Sequence, residues 1–103
     1  MRIAVEIEDI EQRRLQAGID DVELRSEIRR LRVGDVVYLT FLTGPTSSEM
    51  LPVRITSIRG AAFRGKLADS PGSPALSRLR AGSPLAFTAA HIHSLLRGSM
   101  RER

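Results

Sequence analysis

Apolar positions recur at two periods along this chain, and the changes of period mark its elements. Ile3, Val5 and Ile7 alternate with Arg2, Ala4 and Glu6, the period of a half-buried strand. Residues 9–16 are charged, with Ile10 and Leu15 their only large apolar members, and Gly18 follows. That stretch reads as a loop or one or two helical turns. Leu24, Ile28 and Leu31 then recur at spacings of four and three, one face of a helix. Asp20 followed by Glu23 makes a capping-box-like start. Asp21 and Arg25 stand four apart in the favourable orientation. The spacing predicts one short helix over about residues 21–31.

From there the period is two. Residues 36–42 are dense in strand formers, with Val37, Leu39 and Phe41 on one face. Residues 43–49 have loop composition. Leu51, Val53 and Ile55 alternate with Pro52, Arg54 and Thr56, Arg59-Gly60 turns the chain, and residues 61–67 return as a third strand. Two prolines and a glycine interrupt residues 69–74. Leu76 and Leu79 re-enter the core, Leu85 and Phe87 mark a fourth strand, and Ile92, Leu95 and Leu96 close the fold. The expectation is a mainly β chain: a small barrel of about five strands with one short N-terminal helix. A single domain is expected over 1–97, its first strand and helix within 1–32 and the barrel over 33–97. A disordered tail follows over 98–103.

One internal echo fits this scheme. Leu31-Arg32-Val33-Gly34-Asp35 opens the strand carrying Tyr38 and Phe41, and Leu79-Arg80-Ala81-Gly82-Ser83 opens the strand carrying Phe87. In each, an apolar anchor precedes a glycine turn that feeds a strand.

The order Leu24-Arg25, Leu31-Arg32-Val33-Gly34-Asp35-Val36-Val37-Tyr38-Leu39-Thr40-Phe41, Glu49-Met50-Leu51-Pro52-Val53, Gly65-Lys66-Leu67-Ala68-Asp69-Ser70-Pro71, Ala90-His91-Ile92 resembles a group of small uncharacterised bacterial proteins. Their pattern runs L-x-x-G-D-x-V-x-L-x-F, M-W-V, G-x-L-x-N-x-P, H-I. The resemblance covers about residues 24–95 and implies an SH3-like barrel. It implies no activity. The group's tryptophan is absent here, with Leu51 and Pro52 nearby, its asparagine gives way to Asp69-Ser70, and its closing glutamate to Ala90.

Composition narrows the chemistry. With 103 residues, 42% apolar and 27% charged, the chain can bury one core. There is no cysteine, which excludes disulfides, thiol catalysis and thiolate metal sites. No apolar run approaches the roughly 20 residues of a membrane helix, and the N-terminal residues carry acids where a signal peptide needs an apolar core. A soluble cytoplasmic protein without membrane attachment is expected.

Charge is unevenly distributed. Residues 1–51 carry seven basic and ten acidic side chains, residues 52–103 nine basic and two acidic, within a net +4. Arginine dominates, Lys66 being the sole lysine, as codon bias would produce; codon bias does not remove acids from one half. A positive field there favours an acidic partner.

Gly60-Ala61-Ala62-Phe63-Arg64-Gly65-Lys66 matches G-x-x-x-x-G-K, yet Leu67 stands where a phosphate loop needs Ser or Thr, and no helix can follow. It reads as a turn and a strand. His91-Ile92-His93 on a strand would point both rings one way, without evident third and fourth ligands. Ser47 and Ser48 lack a nucleophile elbow, Asp20 and Asp21 serve helix capping, and Pro71 with Pro74 belongs to a turn. No enzyme, no cofactor and no metal is expected.

What remains is a basic hairpin. With Val53, Ile55, Phe63 and Leu67 inward, Arg54, Arg64 and Lys66 face outward, with Arg59 at the turn and no acid between residues 50 and 68. Such a face also occurs as plain solvated protection against edge-to-edge pairing. As a binding surface it suits an acidic protein first, in an interaction, inhibitor or immunity-type role. The alternative is nonspecific contact with nucleic-acid phosphates. Tyr38 is the one aromatic placed to assist from outside, too few for stacking on single strands.

Overall fold

The alternating stretches fold as the strands their period demands. In the computed structural model, which describes residues 6–96, β1 (Val36–Leu42), β2 (Ser48–Arg59), β3 (Ala62–Leu67), β4 (Pro84–Thr88) and β5 (Ile92–Leu95) form one antiparallel sheet. Its order is β4-β3-β2-β1-β5. Val37, Leu39 and Phe41 of β1, Leu51, Val53 and Ile55 of β2, and Phe63 and Leu67 of β3 are all buried on one side. Phe87 of β4 lies directly across the ladder from Phe63, and the two rings stack with centroids 5.4 Å apart. Leu76, Leu79 and Ile92 complete this core.

The sheet is rolled. Flat, its four inter-strand steps would set β4 and β5 about 19 Å apart, at roughly 4.8 Å each. Yet Thr88 at the end of β4 and Ile92 at the start of β5 are joined only through the single 3₁₀ turn Ala89–His91, and four residues reach at most about 14 Å. The edges are drawn together around the core. They are not joined by a ladder, so the mainly β fold expected from the sequence is an open, curled five-stranded sheet rather than a closed barrel.

β2 makes the corner. Its first part pairs with β1, from Leu42↔Ser48 to Val36↔Arg54, and its second with β3, from Val53↔Leu67 to Arg59↔Ala62. The register shifts between Ile55 and Ser57, leaving Thr56 and Ser57 both exposed. Such a bulge bends and twists a strand. Gly65 permits the close crossing there: a Cβ on it would stand 2.6 Å from the Arg54 carbonyl oxygen and 2.6 Å from Val53 Cγ1.

The sequence echo is a repeated turn. Gly34 and Gly82 have φ of 101° and 94°, values that favour glycine. The N–H of Arg32 donates to Asp35 Oδ2 and that of Arg80 to Ser83 Oγ, each at 3.0 Å. Gly34 N–H then donates to the Ile55 carbonyl and Ile55 N–H to that of Asp35; Gly82 and Ser83 do the same with Leu67. One turn docks β1 on β2, and its repeat docks β4 on β3.

Each sheet edge is blunted in its own way. Ala89 N–H donates to the Ala61 carbonyl, so by alternation the N–H groups of Ala86 and Thr88 point away from β3. Pro84 has no N–H, and that of Thr88 donates to His91 Nδ1 at 3.0 Å. At the other edge, Arg14 Nη2 donates to the His93 carbonyl at 3.3 Å. Pro84, the Thr88–His91 bond and the Arg14–His93 bond remove part of the backbone that a second strand would use.

The N-terminal region departs from expectation. It holds two short helices, not one. α1 (Ile10–Gln16) forms because Asp9 accepts from Gln12 N–H and Arg13 pairs with Glu8 at 3.1 Å. α2 (Val22–Ile28) is shorter than predicted and is capped by Asp21, not Asp20. That use of Asp21 also breaks the expected pairing with Arg25: Arg25 meets Asp20 at 3.0 Å, and Asp21 meets Arg14 at 3.5 Å. The helix stops at Ile28 as Arg30 and Leu31 bond back three residues, turning Leu31 toward the core. Of the strand expected at 3–7, Ile7 makes one bridge to Phe41; residues 1–5 and the tail expected over 98–103 lie outside the described residues. No described helix is long and apolar enough to cross a membrane.

Candidate functional site

The hairpin of β2 and β3 carries its cations as period-two alternation requires. Arg54, Arg59, Arg64 and Lys66 are exposed, while Val53, Ile55, Phe63, Gly65 and Leu67 between them are buried. Pairing arranges them in rows. Arg54 stands directly opposite Lys66, Arg64 opposite Ser57, and Arg59 opposite Ala62. On β4 these rows continue into Pro84, Ala86 and Thr88, short side chains without charge.

Like charges directly opposite across a ladder are destabilising, and among the described residues no acid pairs with them. None of the ion pairs among the described residues involves Arg54, Arg59, Arg64 or Lys66. Arg54 partly escapes Lys66 by turning toward β1, where its Nη1 donates to the Gly34 carbonyl at 2.9 Å. The repeated turn therefore also orients the first cation of the face. Because the sheet curls around its core, this outer surface is convex.

Tyr38 is half-buried on the same outer side, opposite Pro52 and Ser94. Its diagonal neighbour across the β1–β2 ladder is Arg54, a separation of roughly 7–8 Å at Cα. It borders the cations without lying among them.

The other candidates take structural positions. Residues 60–66 form a turn with Gly60 at φ 63°, followed by β3, and no helix begins there. The histidines do not share a strand: His91 ends a 3₁₀ turn, its Nδ1 accepting from Thr88 N–H, while His93 lies in β5 with Nδ1 at 3.1 Å from Ser94 Oγ. The premise of two rings side by side fails because the turn rotates His91 to cap itself. Partial burial lowers the pKa of His93, with Arg14 and then Arg13 adding to the effect and Glu8 opposing it. Glu49, at the head of β2, accepts from Gly72 N–H at 2.8 Å and Ser73 N–H at 3.0 Å, pinning the loop before Leu76.

Sequence reasoning missed a cleft. Between the helices and the hairpin turn lies a hollow of about 460 Å³, walled by Leu24 and Ile28 on one side and Ile58 and Phe63 on the other. Leu15 and Ile19, 60% and 52% exposed, stand at its mouth. The exposed pair offered a faint signal in the sequence, as apolar residues beside Gly18 that fit no periodic face. No family model, curated protein or solved structure matches the chain.

Proposed function

We propose that this protein is a cytoplasmic, non-catalytic binding module that holds an acidic protein surface against the outer face of its β2–β3 hairpin. The row that sets Arg54 against Lys66, with Arg64 beside them and no carboxylate among the described residues paired to any, carries this reading. An anionic partner would turn that repulsion into attraction. The curled meander, with its last strand beside its first, supports an SH3-like fold whose closing ladder is left open.

The acids and imidazoles engaged in structural work support a non-catalytic role. Asp9 and Asp21 cap helices, Glu49 pins a loop, and His91 caps a turn. The convex face also favours protein over duplex DNA. Two convex surfaces bring few phosphates into reach, whereas a protein surface can be concave.

Anisotropy titrations of labelled poly-L-glutamate and charge-matched duplex DNA at low salt test the proposal. The glutamate polymer should bind more tightly, and less so as salt rises. Combined Arg54→Glu, Arg64→Glu and Lys66→Glu should abolish that binding. The same charge change through Arg30→Glu, Arg78→Glu and Arg80→Glu should weaken it far less. Equal losses from both triple variants would overturn the assignment, and tighter binding of DNA would give the face to nucleic acid.

A further inference from the structure

The hairpin's cations border an apolar strip on the same outer face. By alternation Met50, Pro52 and Arg54 project from the outer side of β2, and Tyr38 from that of β1. The row next to Arg54 and Lys66 carries no charge. Ser94, Tyr38 and Pro52 stand side by side through the ladders, and beyond the end of β3 the N–H of Ala68 donates to the Pro52 carbonyl. Met50 follows two residues further along β2 and is 48% exposed. Hydrocarbon and positive charge thus succeed each other along one strand, at outward positions about 7 Å apart.

Two observations define what fits there. Arg54 Nη1 donates to the Gly34 carbonyl at 2.9 Å, which holds the guanidinium toward β1, on the side where Tyr38 lies. Among the described residues no other hydrogen bond or ion pair engages the Arg54 side chain, and none engages those of Lys66 or Tyr38. A guanidinium fixed at one edge presents the rest of its fork to a carboxylate with less rotamer freedom left to lose. The spacing supplies the second constraint. An extended peptide repeats its side chains on one side every two residues, the same step that separates Arg54 from Pro52.

We propose that the acidic partner presents an extended segment in which a carboxylate and a large apolar side chain stand two residues apart. The carboxylate meets Arg54 and Lys66, and the apolar side chain covers Pro52 and Met50 beside Tyr38. The assignment rests on the outer hairpin face being the binding surface.

Two labelled dodecapeptides of identical composition test it by anisotropy at low salt, each alternating Glu with Thr and carrying one Phe. One has its Phe two residues beyond the last Glu; the other has it directly after that Glu, on the opposite side of an extended chain. A third peptide carries Ala in place of the in-register Phe. The in-register peptide should bind about tenfold more tightly than either of the others, as expected for partial burial of a phenyl group. Met50→Ser combined with Pro52→Thr should remove that advantage and leave the alanine peptide's affinity unchanged, with thermal unfolding showing the fold intact. Met50→Ser alone, at an exposed position, should remove part of it. Arg54→Glu should weaken all three peptides. Equal binding of the two Phe isomers, with the alanine peptide also bound, would overturn the proposal and leave the basic face standing. No binding of any peptide would overturn both. An advantage kept in the Met50→Ser, Pro52→Thr variant and lost in Ala61→Trp would overturn it by moving the Phe into the cleft beside the helices.

Discussion

Gly65 and the turn glycines are required for different physical reasons, and substitutions separate them. At Gly34 and Gly82 the space around a Cβ is open, and only the positive φ resists a side chain. Alanine at either should cost about 1–2 kcal/mol, and asparagine, which tolerates that conformation, less. At Gly65 the obstacle is steric, since the Arg54 backbone and Val53 methyl occupy the position. Alanine should cost about 1–3 kcal/mol or more there, and asparagine should be worse than alanine. Urea unfolding of the six variants checks this, and asparagine rescuing Gly65 would contradict it. His93 gives a second residue-scale expectation. Its folded-state pKa lies below the ordinary 6.5, so as pH falls through 6.5 the unfolded chain takes up a proton that the folded chain resists. Stability should therefore fall from about pH 6.5 down to the folded-state pKa and level off below it. His93→Gln should flatten that part of the profile. A wild-type curve rising over the same window would refute the assignment.

Among the elements, strands were legible and helices only partly so. Strand faces follow from local alternation, and each buried residue of β3 sits where period two puts it. The repeated turn was visible as Leu-Arg-x-Gly because its anchor, glycine and side-chain acceptor all fall within five residues. α2 was legible from its spacing and α1 only as a loop or one or two helical turns; the swapped acid partners were not, because Asp21 chooses between Arg14 and Arg25 by the path of the intervening turn. Edge protection by His91 depends likewise on a 3₁₀ geometry that composition does not encode. Glu49 links elements more than twenty residues apart and makes an element-scale prediction. Its carboxylate accepts two backbone N–H bonds, so Glu49→Gln should destabilise the fold by about 1.5–3 kcal/mol. Amide exchange should rise first at Gly72 and Ser73. Unchanged protection at those two amides would show that the loop holds itself.

At the scale of the whole molecule, the candidate surfaces differ in how the chain builds them. The basic face comes from two adjacent strands joined by a tight turn, so alternation alone places Arg54, Arg64 and Lys66 together. The cleft needs α1, α2 and the hairpin turn, whose distances the sequence leaves open. The curl of the sheet joins them, turning the basic face outward and Phe63 and Ile58 toward the helices. The central claim is that the outer hairpin face is the binding surface. Its most direct test maps backbone amide shifts of ¹⁵N-labelled protein during titration with an acidic glutamate peptide. The predicted changes cluster at Arg54, Ser57, Arg64, Lys66 and Ala86 and fade with added salt. Shifts centred on α1 and α2, or spread evenly over every exposed arginine, would contradict it.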